Sequence, residues 1–464
     1  LYASATFAKR PDNMSLYFRT NINKAVENQS SLTDVLARGG VPLQQILCSS
    51  LAQDGQYVRR ERDFTGVNIE MRIAEPVDEK TGQIDKTALA DLVTTYDRVA
   101  GVLEALVAHS ELVRNVVTKA VRAQYGQANT REKISVGMST FASVVHNFVA
   151  QLLLASKCNI CVQQAAMAFK EGKKPVIALT NTLESSLKEY IESEGISVGD
   201  PLSMKYSHIL ENAVYRMYRY TQKDRTGQAI RHEFAPEDFG LGEAHERMIR
   251  AIHDLDDIDL PISPIDYMKD QLERRGIRTG EITGRGYTVD YSGEIPVLSR
   301  RESKAKDKNK IVNDFNSGKM DAVILNASGS TGLSIHAAAW FADKRPRHMI
   351  LVQPSLDIAI VVQTLGRIRR TGQVVKPSYV FLPSPLNAER RPFAVLAKKM
   401  QSLNANTTAN TKSNISFDED FINKYGDMVA QQFLNENAEI ASRIGLDADT
   451  TDGDTPESNI MTRL

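Results

Sequence analysis

The chain has little cysteine, a single tryptophan and no surplus of charge of either sign. Three cysteines in 464 residues cannot build a disulfide framework, and their odd number points to a reducing compartment. Cys158 and Cys161 form a lone C-x-x-C inside an apolar helical pattern. With no second pair and no ligand histidines nearby, they read as buried structural cysteines, and no metal site is expected. Lysine plus arginine and aspartate plus glutamate each total 57, so the formal net charge is zero. That balance excludes a histone-like protein held on nucleic acid by bulk charge, while leaving a local basic track open. Long apolar runs are also missing. The most apolar stretch, Phe141 to Ser156, is broken by His146, Asn147 and Gln151. It is too short and too polar to span a bilayer, and no membrane partner is expected. Finally, no G-x-x-x-x-G-K-[ST] phosphate loop occurs, and Glu171-Gly172-Lys173-Lys174 lacks the glycine loop that would cradle phosphates.

What is present is ordinary globular chain: 42% hydrophobic and 25% charged residues, enough apolar content to exclude wholesale disorder. The length suits about two to three domains. The opening Leu-Tyr-Ala-Ser-Ala-Thr reads as the end of a strand, so the sequence is expected to be the C-terminal part of a longer protein. Residues 1–72 read as strand ends and short helices. A spacer over 73–172 turns helical: Leu89, Leu92, Val93, Tyr96, Val99, Val102 and Leu103 recur at three and four, as do Phe141, Val144, Val145, Phe148 and Leu152.

From 173 to 405 the pattern alternates short apolar runs with helical segments. Strands are expected at Val176–Thr180, Thr279–Ile282, Ala322–Leu325, His348–Val352 and Tyr379–Leu382, with helices at Leu183–Glu194, Ile265–Arg274, Ile311–Asn316 and Ile358–Arg370. This is an α/β, doubly wound parallel sheet, interrupted by an insertion at about 195–250. Residues 406–464 read as a linker and an acidic tail.

The most specific feature is Gln363-Thr-Leu-Gly366-Arg367-Ile-Arg369-Arg370-Thr-Gly372-Gln373. Six fixed positions fit Q-x-x-G-R-x-x-R-x-G-Q, motif VI of superfamily two helicases and translocases. On a helix, Arg367 and Arg370 would project from one face. Two guanidiniums so placed can reach a γ-phosphate on an opposing lobe and stabilise its developing charge, an effect worth about 10³–10⁵ in rate. Upstream, Asn326-Ala-Ser328-Gly329-Ser330-Thr331-Gly332-Leu333 follows an apolar strand and fits motif V, a loop whose backbone and hydroxyls can face phosphates. Ser4-Ala5-Thr6 fits motif III, which couples nucleotide state to nucleic-acid contact.

The basic segment Arg300–Lys310 suits either backbone phosphates or a solvated loop. Tyr206, Tyr215, Tyr218 and Tyr220 could stack bases, with packing inside the insertion the favoured reading.

Taken together, the sequence resembles the strawberry notch family of helicase-like proteins and the related large phage antirestriction (DarB-like) helicases. The resemblance lies in Tyr-Ala-Ser-Ala-Thr with Asn13, Gln53–Gly66, Leu260–Tyr267, Glu281-Ile-Thr283-Gly284-Arg285, Ser384–Arg391 and Asn423-Lys424-Tyr425-Gly426. It implies a RecA-like second helicase lobe, a remnant of the first, and an ATP-dependent motor acting on DNA, with RNA not excluded. By that resemblance Arg367 and Arg370 are arginine fingers and Gln363 bridges to the nucleotide. Gly332, Gly366 and Thr331 would line ATP, and Thr180, Arg285, Ser328 and Ser330 would face nucleic acid. The main ligands of ATP and Mg²⁺ are expected upstream, in the missing N-terminal part of the same polypeptide, so this fragment alone should not hydrolyse ATP. The compartment implied is the cytoplasm, that of the host for a phage protein, or the nucleus in a eukaryote. The rival reading is a non-catalytic lobe that binds DNA or scaffolds a phage particle. A methyltransferase finds no N-P-P-Y here.

The zero net charge is a sum of unlike parts. Residues 417–464 carry eleven acids against three bases, which leaves the remainder of the chain basic.

Overall fold

The computed structural model describes residues 67–78, 81–125, 134–136, 141–223, 229–301, 307–326 and 332–386, with scattered positions between 20 and 56 and between 389 and 432. Motif III (Ser4, Ala5, Thr6), the motif V residues Ser328, Ser330 and Thr331, most of 1–66, and all of the linker and acidic tail but Gln432 lie outside the described residues.

In chain order the elements are β1 (Asn68–Met71), α1 (Lys86–Tyr125), β2 (Ile134–Val136), α2 (Phe141–Ser156), α3 (Cys158–Lys170), β3 (Lys174–Leu179), α4 (Glu184–Glu194), α5 (Tyr206–Met217), β4 (Arg219–Lys223), β5 (Ala229–Glu233), α6 (Gly242–His253), α7 (Pro264–Arg274), β6 (Thr279–Ile282), β7 (Tyr287–Asp290), β8 (Val297–Arg300), α8 (Lys308–Ser317), β9 (Ala322–Asn326), β10 (Arg347–Leu351), α9 (Ile358–Leu365) and β11 (Ser378–Phe381). Six of the strands pair in parallel, flanked by helices, in a RecA-like α/β arrangement. They divide three and three between two compact units, one of residues 1–73 and 332–464, the other of 74–331.

In the first unit the strand order is β1-β11-β10. Asn68–Met71 thus pairs with Ser378–Phe381, so the end of the segment read as first-lobe remnant shares a ladder with the last strand of the second lobe. Tyr379, Val380 and Phe381 are buried, as are Met349, Ile350 and Leu351.

In the second unit the order is β3-β9-β6. All three strands are buried along their whole length. Continuous burial explains why KPVIAL and AVILN are apolar runs rather than alternating ones. Lys174, the one charge in them, is fully buried. Its ammonium lies 4.1 Å from the centre of the Phe315 ring and donates to the carbonyls of Phe315 and Met320 at the end of α8, where a helix dipole favours a cation.

The helical spacer is not a body of its own. Val99, Leu106, Val113 and Val117 of α1 and Phe148 and Leu152 of α2 share one apolar cluster with Leu187, Tyr190, Leu210, Val214, Met248 and Ile252. The spacer and the insertion therefore close a common core, all of it within the second unit. Cys158 and Cys161 are buried, and burial raises both thiols, Cys161 to about 12. Among the described residues no cluster of three metal-ligating side chains occurs, and no single helix is long and apolar enough to cross a membrane. Tyr206 and Tyr218 are core residues, Tyr215 is exposed, and Tyr220 stacks on His232 with centroids 4.8 Å apart.

Gly280 marks the tightest glycine approach among the described residues of the second unit. A Cβ there would stand 2.6 Å from Met320 Sδ and 2.8 Å from Ile311 Cγ2, so only glycine lets α8 lie against β6. Gly280→Ala should destabilise the second unit by about 1–3 kcal/mol, seen as a lower urea midpoint at unchanged slope; an unaltered midpoint would show that α8 can move aside freely.

Candidate helicase site

Parallel α/β sheets bind ligands beyond the carboxyl ends of their strands, and of the predicted residues Thr180 and Arg285 follow the ends of β3 and β6. Thr180 is exposed directly after β3. The loop behind it contains Leu183 at φ 58°, the one non-glycine in the left-handed region among the described residues, held there as the residue preceding α4. Glu184 then accepts the Gly286 N–H at 2.9 Å, tying the start of α4 to the loop after β6.

That loop is built on buried charge. Arg285 is 2% exposed. Its Nε donates to Glu281 at 2.7 Å, Nη1 to Asp266 at 2.6 Å and Ser263 at 3.2 Å, and Nη2 to Glu281 at 2.8 Å and to the second Asp266 oxygen. All five guanidinium N–H groups are engaged. Arg285 is therefore enclosed by carboxylates rather than offered to a phosphate, which departs from the nucleic-acid contact expected of it. The β6 signature Glu281-Ile-Thr283-Gly284-Arg285 is a folding device in this structure. Arg301, also buried, donates to the carbonyls of Glu281, Thr283 and Arg285 at 3.1–3.3 Å, and so clamps the backbone of the same turn. Burial works to raise the Glu281 carboxyl, but the bonds and charge of Arg285, with Arg301, outweigh it and hold it at about 2.

The arginine motif lies in the first unit. Asp357 caps α9 by accepting the Ala359 N–H at 2.9 Å. The helix ends at Leu365, five residues short of the Arg370 expected from periodicity. Tyr379 Oη donates to the Leu365 carbonyl at 2.9 Å, and Gly366 N–H closes on Val362 at 3.0 Å. Arg367 and Arg370 therefore sit on the turn beyond the helix, and no helical face aligns them. Instead the end of motif V and the residue after it do. Arg370 Nη1 donates to Ser334 Oγ at 2.7 Å, and Arg367 Nη1 reaches the Leu333 carbonyl at 3.4 Å. The two strands of chain continue side by side: Ile335 N–H to Arg367 O, Ala339 N–H to Gly372 O and Val374 N–H to Ala337 O.

Arg367 is 8% exposed, and its buried Nε has no hydrogen-bond partner among the described residues. Burial, then the charge of Arg370, lowers its basicity. Both guanidiniums remain cationic at neutral pH, so a partly unsatisfied positive charge faces a second one across the turn. Gln363 is exposed one turn earlier on α9, Gly366 is half-buried, and Gly332 begins the facing segment at φ 80°.

Two supports, Arg347 and Trp340, had no sequence signal strong enough to name them in advance, while a third, Glu389, lies in the Ser384–Arg391 signature. Arg347 is fully buried and donates to the carbonyls of Ile335, Asp343 and Arg345 at 2.6–3.0 Å, pinning the facing segment; burial takes its guanidinium down to about 10. Trp340 lies over Gly372, whose φ is 85° and whose Cβ would meet the indole at 2.4 Å. Glu389 accepts the Ser384 N–H at 2.7 Å, which makes the Ser384–Glu389 signature a closed corner.

This geometry is that of a helicase-like α/β domain. Residues 264–447 match the helicase family described as the C-terminal domain on strawberry notch homologue. Over 95% of its length the chain is 24% identical to protein strawberry notch homolog 1 of Rattus norvegicus, of which it covers 40%. It is 26% identical over 92% of its length to protein strawberry notch homolog 2 of Homo sapiens, covering 36%. Against protein strawberry notch of Drosophila melanogaster it is 34% identical over 193 residues, 39% of this chain and 11% of that protein. The match to the strawberry notch helicase C-terminal domain thus covers residues 264–447, in a chain that spans at most two fifths of the length of these relatives.

Two outcomes follow from these contacts. Glu281 has its ordinary value of 4.5 depressed to about 2, so its contribution, on the order of 3 kcal/mol, is fully present above pH 4.5 and is lost as pH falls toward 2. Glu281→Gln should be less stable than wild type at pH 7 and should lose less on acidification through that window. Equal acid slopes in chemical denaturation would contradict this. Gly372→Ala should cost about 1–3 kcal/mol from the clash and the left-handed backbone together, measured as a fall in unfolding free energy.

Proposed function

We propose that this chain supplies the second RecA-like lobe of an ATP-dependent superfamily two helicase or translocase acting on DNA. The observation that carries the reading is the enclosed Arg367 guanidinium, with an unpartnered Nε among the described residues, held beside Arg370 by the end of motif V and the residue after it. A buried cation short of acceptors suits an anion brought to it, and the family's helicase domain supports ATP as the source of that anion.

On this reading Arg367 and Arg370 face the γ-phosphate and stabilise the charge that develops on it as the phosphoryl group leaves. Gln363 orients the nucleotide, and Gly332, Gly366 and Thr331 line its approach. Thr180, Ser328 and Ser330 carry the nucleic-acid side, and Ser4-Ala5-Thr6 couples the two. Arg285 drops from the track, because its donors are used internally. Bound Mg²⁺ would neutralise phosphate charge, and its ligands, with the phosphate loop, would come from outside this chain. The place of work is that of the DNA: the cytoplasm, or the nucleus in a eukaryote.

In the full-length protein, Arg370→Ala should lower nucleic-acid-stimulated ATP turnover by about 10³-fold or more while nucleotide binding stays largely intact. Unchanged turnover would overturn the assignment, and an inactive wild type that still bound DNA would favour a non-catalytic lobe.

A further inference from the structure

A cavity of about 430 Å³ opens in the second unit beside β6, well away in sequence from the arginine motif and lined by residues from five elements. Its polar wall is strongly one-sided. Lys269 of α7, Arg300 at the end of β8, Arg301 and Lys310 of α8 all line it, and Glu281 is the one acid. Glu281 adds little negative potential, because Arg285 engages both of its oxygens and Arg301 lies 3.3 Å away. Lys310 shares its charge with Asp314 at 2.8 Å. The side chains of Lys269 and Arg300 have no hydrogen-bond or ion-pair partner among the described residues. Two cations without partners thus converge with a third and a buried fourth on one concave space, and Thr288 adds a hydroxyl to its wall.

Like charges gathered without counter-ions cost free energy, and the cost is recovered when an anion binds among them. The cavity is fixed rather than improvised. Arg301 is anchored by backbone carbonyls, and Gly280, Ile311 and Met320, which meet in tight approach, also line the cavity. Its volume lies within the range of small-molecule sites, above what a single chloride would need.

We propose that this cavity is a phosphate-binding site, in which Lys269, Arg300 and Lys310 hold a phosphate or pyrophosphate group. The phosphate reaches it either as a free phosphorylated compound or as part of a nucleic-acid backbone, and it is separate from the γ-phosphate contacts proposed for Arg367 and Arg370. The site therefore stands whether or not the motor reading does.

The test uses the whole 464-residue chain and inorganic pyrophosphate, titrated by calorimetry at low salt. Saturable binding with one site is expected, weakening as sodium chloride is raised. The double variant Lys269→Ala/Arg300→Ala should lose at least about tenfold in affinity, or roughly 1.4 kcal/mol, at an unchanged melting temperature. Arg300→Gln alone gives an intermediate loss should the double variant fold poorly, and Lys308→Ala, whose side chain does not line the cavity, should bind as wild type. A second arm adds a single-stranded oligonucleotide of about 12 residues, within the usual site sizes. Competition with pyrophosphate assigns the site to a backbone phosphate, and simultaneous binding assigns it to a small phosphorylated compound; both support the site. Absence of saturable heat, or equal affinity in wild type and the Arg300→Gln variant, would overturn it.

Discussion

The turn after β6 depends on one interaction, the enclosure of Arg285 by Asp266 and Glu281. Three charges have left water there, and each is compensated by bonds of good geometry rather than by attraction alone. Asp266 comes from the first turn of α7, Glu281 from β6, and Arg301 from the residue following β8. Three elements are thereby locked to one another at the carboxyl end of the sheet. Because such a network is satisfied only in one arrangement, it also sets the place of everything that leans on it. Gly286 is held to Glu184, Val289 donates to Asp266, and the cationic wall of the neighbouring cavity rests on Arg301.

The first unit solves a comparable problem differently. A turn of two arginines has no helix to orient it, so a facing segment supplies the acceptors: the Leu333 carbonyl and the Ser334 hydroxyl. That segment is in turn pinned by the buried Arg347 and by Trp340 over Gly372. In both units, buried guanidiniums hold backbone carbonyls in loops that secondary structure cannot hold. A guanidinium suits this work, since its rigid fork can serve several carbonyls at once and stays charged when buried.

How much of this was legible beforehand varies with the physics involved. A strand buried on both faces can announce itself as an unbroken apolar run, as β9 does, legible to within a residue of its observed end. Helices with an apolar stripe, α4 and α7 among them, were legible for the same reason. The end of α9 was not: Gly366 followed by Arg367 continues a helical pattern, and what stops it is the Tyr379 hydroxyl taking the Leu365 carbonyl, a contact 14 residues away. The strand Asn68–Met71 escaped because its pairing partner lies more than 300 residues further on. The spacer read as separate because periodicity reports which face is apolar, not what covers it.

Arg285 shows the limit most clearly. A signature of charged residues after a strand reads equally well as a ligand contact or as an internal ion pair, since the residue types are the same. What separates them is whether acceptors within the fold exhaust the donors. For Arg285 all five are spent, and for Arg367 Nε has no acceptor among the described residues. The same count distinguishes Arg301 from Arg300, neighbours in sequence that both line the cationic cavity: Arg301 donates to three carbonyls, whereas the Arg300 side chain has no partner among the described residues. Donor accounting, rather than residue identity, thus separates arginines whose donors are spent within the fold from those with donors to spare.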